Sequence, residues 1–435
     1  MRAFGRRLLA WTTDERSGPW LLFVVALIPR VVFVVFAHPV GDFIESDMSV
    51  YDLRAKNLVR GELGPWDTFT PAGYPAALAL VYRAFGPAYL LVGGLQALLS
   101  ALTVLVTYKL AFSLSRDRTV PVISSIAVAA HLPMILYAGL LLSETWFAFL
   151  LVLSAWLLVE STIAASLFRA MLGGFTLGVA ATVRPSLALV VPLLPVFFYV
   201  ALRRSAPRTF RYGFCALVFA LCPMLIHSAH NSSLLERWVP TSTNGGVNFY
   251  LNFADVRSVG FVEGGFKHLV SPIPSRIRHE TDELVDRPFY DDGYFYERGV
   301  ELIAAEPSRL LRVFWSLKEG LGLGSQHYWP SWRRWRYVLP VDSRLFSLFF
   351  VVPGVLWLLY LFARGRPFRA EEAGWLWLST LLGCSVVTMA FFLGDPRIRV
   401  PYDPFFAIAA AAAYVELGRH VRRKRRRAQV VTDRP

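Results

Sequence analysis

The chain has 435 residues, 55% of them hydrophobic and only 17% charged, with a mean hydropathy of +0.45, which excludes a soluble globular domain of this size. The formal net charge of +14 does not point to nucleic acid, because the basic residues sit in short stretches between long apolar runs, where they report topology. Cys215, Cys222 and Cys384 all fall inside apolar runs and form no disulfide or metal pattern.

A membrane-spanning helix needs about 20 apolar residues. Ten such runs are expected, at 19–37, 87–112, 120–141, 144–160, 168–183, 186–202, 212–230, 344–363, 373–393 and 401–418. The fold class is therefore an all-α polytopic membrane protein of about ten transmembrane helices. The first run is too long for a secretory leader and has no small-residue cleavage site after it, so it reads as a retained helix. Arg2, Arg6 and Arg7 precede that run, Arg116 and Arg118 follow the second, and Arg203, Arg204, Arg208 and Arg211 follow the sixth. Arg364, Arg366 and Arg369 follow the eighth, and "RRKRRR" (422–427) follows the last. With ten spans all of these fall on one side, the cytoplasmic one, together with both termini. Residues 38–86 and 231–343 are then outside. The chain divides into an N-terminal membrane module with the first outer loop (1–230), an outer cap (231–343) and a C-terminal group of three spans with a basic tail (344–435).

In the first outer loop, "SVYDLRAKNLVRGEL" puts Tyr51, Ala55 and Leu58 on one helical face, with Gly61 as the stop, and reads as an interfacial helix. "TPAGYPAALALVYRAFG" reads as a turn and a second short helix with Pro75 near its start. In the cap, "DDGYFYERGVELIAAEPSRLLRVFWSLKEG" reads as helix broken at Pro307. "HYWPSWRRWRYV", with Trp329, Trp332 and Trp335, reads as an aromatic belt against membrane lipids.

Ionisable residues at the membrane boundary are functional candidates because burying a charge in hydrocarbon is costly. The outer ends of the expected spans hold such a set: Asp47 after the first, Glu144 in "LLSETW" between the third and fourth, Arg184 in "TVRPS" between the fifth and sixth, and Asp395, Arg397 and Arg399 in "GDPRIRVP" between the ninth and tenth. A carboxylate can take a proton from an attacking hydroxyl or amine, and arginines can hold a phosphate leaving group through paired charged hydrogen bonds. Sugar transfer from a lipid phosphate needs both at the membrane surface.

The stretch "DMSVYDLRAKNLVRG" resembles the first outer loop of the GT-C polytopic glycosyltransferases: an Asp, a Tyr four on, an Ala eight on, and a Gly closing the helix. "PAGYP" (71–75), "LLSET" (141–145), "ATVRPS" (181–186), "TSTNGGVNFY" (241–250), "ELIAAEPSRLLR" (301–312) and "GDPRIRVPYDP" (394–404) follow in the order that family has. The resemblance is to the branch related to dolichyl-phosphate-mannose protein mannosyltransferases and the bacterial aminoarabinose lipid A transferase. It implies a GT-C-like fold, a polyprenyl-phosphate sugar donor, inversion at the anomeric carbon, and an envelope acceptor that is a lipid, glycan or protein. It implies Asp47 and Glu144 as catalytic residues, and Arg397 and Arg399 facing the donor phosphate; beside these, Arg184, Tyr51 and Tyr74 are expected as further substrate contacts. The expected location is a prokaryotic inner (plasma) membrane, with the site on the outer face that the short-loop arginines define. Many relatives carry a second acid directly after the first; here Met48 stands there, leaving Glu45 or Asp42 to supply one.

Each residue also has a plainer reading. Asp47 suits a helix N-cap, Glu144 faces headgroups, Arg184, Arg397 and Arg399 anchor helices at the interface, and Arg30 snorkels outward or pairs with an acid. A divalent metal is left open, with Glu144, His38 and His268 as weak ligand candidates, and "STNGG" (242–246) as a weak anion nest. The rival function is a polytopic transporter or flippase of a lipid-linked substrate. That class favours charges at mid-membrane and paired broken helices, whereas the candidates here gather at outer helix ends.

Overall fold

The computed structural model describes residues 14, 16–115, 117–202, 206–256, 259–262, 265–268, 275–324, 338–364 and 372–432, with side chains left undescribed at 206, 259–262, 265–268, 275–277, 338 and 426–432. The arginines expected at 2, 6, 7, 116, 203, 204, 366 and 369, the aromatic belt at Trp329, Trp332 and Trp335, and the side chain of His268 lie outside the described residues.

The chain is a multi-pass helical membrane protein. The first helix among the described residues, α1 (Gly18–Val32), opens with Pro19 in its first turn and runs into a π-helical turn at Phe33–Ala37 a few residues after the internal Pro29. Two helices of the loop after α1 follow, α2 (Asp47–Arg60) and α3 (Gly73–Phe85). Gly61 closes α2 at φ 74°, the left-handed backbone that glycine adopts without strain, as its sequence position predicts.

The membrane bundle continues with α4 (Tyr89–Leu114), α5 (Thr119–Ala130), α6 (Leu132–Leu136), α7 (Glu144–Ile163), α8 (Leu167–Val183), α9 (Leu194–Ala201) and α10 (Ala206–Leu235). Helix α4 packs on α1, α5 and α7, and α8 lies between α7 and α10. The α8–α10 seam is close because "GGFTLG" places Gly174 and Gly178 one turn apart. A Cβ at either would meet the carbonyl oxygen of Ala216 or Ala220, so the backbones touch where any larger residue would hold them apart.

The segment expected as a cap comprises α11 (Asn244–Phe253), a two-stranded antiparallel hairpin of β1 (Val259–Val262) and β2 (Gly265–His268), α12 (Ser275–Asp286), α13 (Asp292–Ala305) and α14 (Arg312–Gly320). The helix breaks at Pro307 as expected, with a 3-10 turn over Pro307–Leu311. The glycines of "STNGG" serve packing: a Cβ on Gly246 would strike the backbone of Asp292, and one on Gly245 the hydroxyl of Tyr296, so α11 seats directly on α13. A small cluster around Val247, Tyr250, Leu284 and Phe295 forms the cap's own core.

The C-terminal part holds α15 (Val338–Phe346), a π-helical turn at Ser347–Val351, α16 (Val352–Ala363), α17 (Ala373–Phe391), a single turn α18 (Pro396–Arg399) and α19 (Asp403–Thr432). Helix α19 packs on α5 and α16 and so returns the chain to the N-terminal bundle. Among the described residues, six helical segments are long and apolar enough to cross a membrane. A seventh arises if α5 and the Leu132–Gly139 segment, bent by 60°, count as one span. The expected spans at 168–183 and 186–202 correspond to the shorter apolar helices Leu167–Val183 and Pro185–Ala201. The last, 401–418, is the first half of α19, where Asp403, Glu416 and Arg419 dilute the apolar run.

Arg30 departs from both plainer readings. It is fully buried, and its guanidinium donates to Ser100 Oγ (2.7 Å) and to the carbonyls of Ala26 (2.8 Å), Ala129 (3.2 Å) and Val128 (3.3 Å). It neither snorkels outward nor meets an acid. It satisfies carbonyls left open where α5 ends and the chain bends.

Candidate active site

Four connections of the membrane domain converge on one charged cluster. Asp47 is the first residue of α2, turned into place by Ser46 at φ 50°. No side-chain cap bond is made at this helix start, so the N-cap reading of Asp47 falls away; its carboxylate goes to Arg397 instead. Glu144 is the first residue of α7. The segment before it is held by Gln96, whose amide donates to Ala138 O (3.0 Å) and Leu140 O (2.7 Å). Arg184 ends α8, because Pro185 after it pushes the backbone out of the helical region (φ −136°, ψ 107°). Arg397 sits on α18, a turn started by an Asp–Pro pair: Asp395 Oδ1 accepts from the Arg397 N–H at 2.8 Å, and Pro396 occupies the first helical position.

The side chains meet at two arginines. Arg397 Nη1 is 2.8 Å from Asp47 Oδ2, and Arg397 Nε is 2.8 Å from Glu144 Oε1. Arg184 Nη2 donates to the same Glu144 oxygen at 2.7 Å, and its guanidinium lies 5.4 Å from the Phe147 ring centre. The two carboxylates differ sharply in access: the Glu144 side chain is 1% exposed and that of Asp47 36%. Glu144 Oε2 has no hydrogen-bond partner among the described residues. Burial alone would lower the Arg397 pKa, but Glu144, Asp47, Tyr51 and Asp395 around it reverse the sign and hold it firmly protonated. Burial raises the Asp395 carboxyl, against the pull of Arg397.

Tyr51 lies one turn along α2 from Asp47, buried, with its hydroxyl raised by burial and by the nearby Glu144. Its ring meets Tyr74 edge-on at 5.2 Å. Tyr74 is fully buried and donates to Gln96 Oε1 at 2.8 Å, so it supports Tyr51 and the segment before Glu144 from behind. Arg399 is not in the cluster; it is buried on the other side of α18 and pairs with Asp403. Met48, at the position where many relatives carry a second acid, is buried in the core, while Asp42 and Glu45 are exposed at the approach to α2.

His38 is buried, stacked between Phe33 and Phe43, with Nδ1 3.1 Å from Gly139 O. Among the described residues no group of three or more His, Cys, Asp or Glu is arranged to hold a metal ion.

Two neighbours of the cluster were not singled out from the sequence. Arg54 lies seven residues after Asp47, hence on the same face of α2, buried and donating to Thr70 Oγ1 (3.1 Å) and Asn231 Oδ1 (3.4 Å). Burial pushes its pKa down to about 10, with Asp67 and Tyr51 opposing. Asp52, on the adjoining face, accepts from Lys56 (2.6 Å) and Tyr82 (2.8 Å) and ties α2 to α3. The i, i+7 spacing was the available signal for Arg54.

Residues 43–228 match the family model of dolichyl-phosphate-mannose-protein mannosyltransferases. The chain is also similar to two solved oligosaccharyltransferase structures from Archaeoglobus fulgidus, the first of them of AglB. One is a complex with an inhibitory peptide and a dolichol-phosphate (12% identity, 96% of this chain, 52% of that chain, TM-score 0.51). The other is a crystal structure of the apo form (13% identity, 95% of this chain, 52% of that chain, TM-score 0.51). The chain has the GT-C fold. The GT-C resemblance read from ordered short motifs is thus borne out, over the N-terminal module by the family match and across the chain by its architecture. The chain spans about half the length of the solved structures it matches. No curated protein sequence matches it significantly.

Proposed function

We propose that this protein is an integral-membrane glycosyltransferase that moves a sugar from a polyprenyl-phosphate donor to an envelope acceptor, with inversion, at the outer face of a prokaryotic inner membrane. The observation that carries this reading is Arg397 held between Asp47 and Glu144, with Arg184 on the same Glu144 oxygen. A transporter site lies near the bilayer midplane between paired broken helices, whereas this cluster gathers where the helices start and end.

The roles follow from access and charge. Asp47 is the open carboxylate and serves as general base, taking the proton from the acceptor nucleophile as it attacks the anomeric carbon. Glu144 is sealed and instead aligns the two arginines. Arg397, with Arg184 beside it, stabilises the phosphate that leaves with the lipid; a guanidinium presents paired donors suited to that group. Tyr51 packs between Asp47 and the core, keeping the start of α2 at the height of the arginines. Meeting of the connections after the first, third, fifth and ninth expected spans supports the ten-span topology, in which all four are outer and both termini are cytoplasmic.

The test is release of polyprenyl phosphate from a radiolabelled polyprenyl-phosphate mannose by the purified protein with envelope extract as acceptor. Mannose is the first probe because the matching family is described by it. Acceptor-dependent release supports the reading. Counterflow of the intact donor in vesicles, with no sugar transferred, overturns it in favour of a transporter.

A further inference from the structure

The turn α18 carries two arginines two residues apart, and on a helix that spacing turns side chains by roughly 200°. Arg397 therefore points to Asp47 and Glu144, while Arg399 points the other way into the protein. Arg399 Nη1 donates to Leu321 O (2.6 Å) and Ser347 Oγ (2.6 Å), its Nε lies 2.8 Å from Asp403 Oδ1, and Nη2 donates to Asp403 Oδ2 at 3.3 Å.

Asp403 starts α19 and is bonded in turn to His131 Nε2 at 2.8 Å; His131 Nδ1 is 3.0 Å from Asp342 Oδ2. His131 sits at the bend between α5 and α6, stacked on Phe346 at 4.0 Å. One chain of polar contacts, buried except at Asp342, thus joins six places: the segment bearing Arg397, the start of α19, the bend of the third expected span, α15, the π-helical turn after it, and the end of the cap helix α14. Apolar side chains of the same volume would pack these elements at no desolvation cost, so a polar network here has to be accounted for by what it fixes. What it fixes is the rotation of α18.

We propose that Arg399, Asp403 and His131 are positioning residues that hold Arg397 against Asp47 and Glu144 by locking the opposite face of the same helical turn. The inference rests on the reading of Arg397 as the residue that meets the donor phosphate. It reassigns Arg399, expected from the sequence as a second phosphate contact, to the support of the first.

The experiment measures binding of polyprenyl phosphate to the full-length protein in detergent, for the wild type, R397A, R399K, D403N and the double variant R397A/D403N. A hydrogen bond to a charged group is worth about 10- to 100-fold in an equilibrium constant, so R397A should weaken binding by about that much, and R399K and D403N should weaken it by about tenfold or more but no further than R397A does. Added to R397A, D403N should change it by less than about twofold, because an effect routed through Arg397 cannot be lost twice. Backbone hydrogen exchange over Gly394–Val400 should rise in D403N while that over α3 does not. Where D403N fails to fold, D342N, at the outer end of the chain, takes its place with an expected loss of up to about tenfold. If R397A weakens binding while R399K, D403N and D342N stay within about twofold of wild type, or if D403N and R397A multiply, the positioning role is overturned and the phosphate reading stands. If R397A leaves binding unchanged, the phosphate reading falls and takes this inference with it.

Discussion

Two carboxylates share Arg397, and the structure gives them opposite energetic weights. Glu144→Gln removes the charge from a fully buried side chain whose Oε1 meets Arg184 at 2.7 Å and Arg397 at 2.8 Å, and both arginine side chains are themselves largely buried (12% and 14% exposed). Removing one partner of a buried pair costs about 3–5 kcal/mol, since the remaining charge stays desolvated. The glutamine carbonyl still accepts one bond, which places the loss near the lower end, about 3 kcal/mol. Asp47→Asn removes an equally close contact, but that side chain is 36% exposed, so solvent screening holds its worth to about 1 kcal/mol or less. The assay is unfolding in detergent followed by the appearance of Cys384 thiol reactivity, since Cys384 is buried in the native fold. Glu144→Gln should unfold well before Asp47→Asn, which should track the wild type. Equal stability of the two variants would refute Glu144 as the anchor of the arginines.

Arg397→Ala should weaken donor binding, and Arg397→Lys should restore only part of it, because an ammonium cannot make the two-pronged contact; affinity for polyprenyl phosphate measures both. Gly178→Ala should destabilise the bundle by at least about 1–3 kcal/mol, read as a lower unfolding midpoint, because even a Cβ meets the Ala220 carbonyl. Gly61→Ala should cost about 1–2 kcal/mol by the same measurement, the strain of a left-handed residue at the end of α2. Cysteines at positions 41 and 264 should react with an impermeant reagent in intact cells and one at 430 should not; labelling at 430 would overturn the outer placement of the site.

The sequence made the helices and corners of this fold legible where a local rule decides them. Gly61 stops α2, Pro307 breaks the cap helix, and Pro185 and the Asp395–Pro396 pair end or begin the turns that carry Arg184 and Arg397. The candidate cluster was legible for the same reason: charges at short turns between apolar helices have few places to go except toward one another. The failures concern direction. Arg397 and Arg399 look alike as a basic pair in "PRIRVP", and only the helical turn at α18 sends one to the site and the other to Asp403. Arg30 reads as a charge in need of an acid, yet backbone carbonyls at the α5–α6 bend satisfy it. His131 stands two residues before Pro133 and Asp403 directly before Pro404, both within apolar sequence, and the cost of burying them was a signal left unused. The glycines of "STNGG" and of "GGFTLG" look the same in sequence, and which of them admit another helix depends on tertiary contacts alone.

The central claim is that Asp47 is the base of a sugar transfer whose leaving phosphate is held by Arg397. It is tested most directly by Asp47→Asn in the purified full-length protein, with turnover of a polyprenyl-phosphate sugar and affinity for polyprenyl phosphate measured side by side. General-base assistance is worth about 10²–10⁴ in rate, so the account predicts turnover at or below about one per cent of wild type with affinity and stability unchanged. Near-normal turnover in Asp47→Asn, with transfer abolished instead by Glu45→Gln, would contradict it.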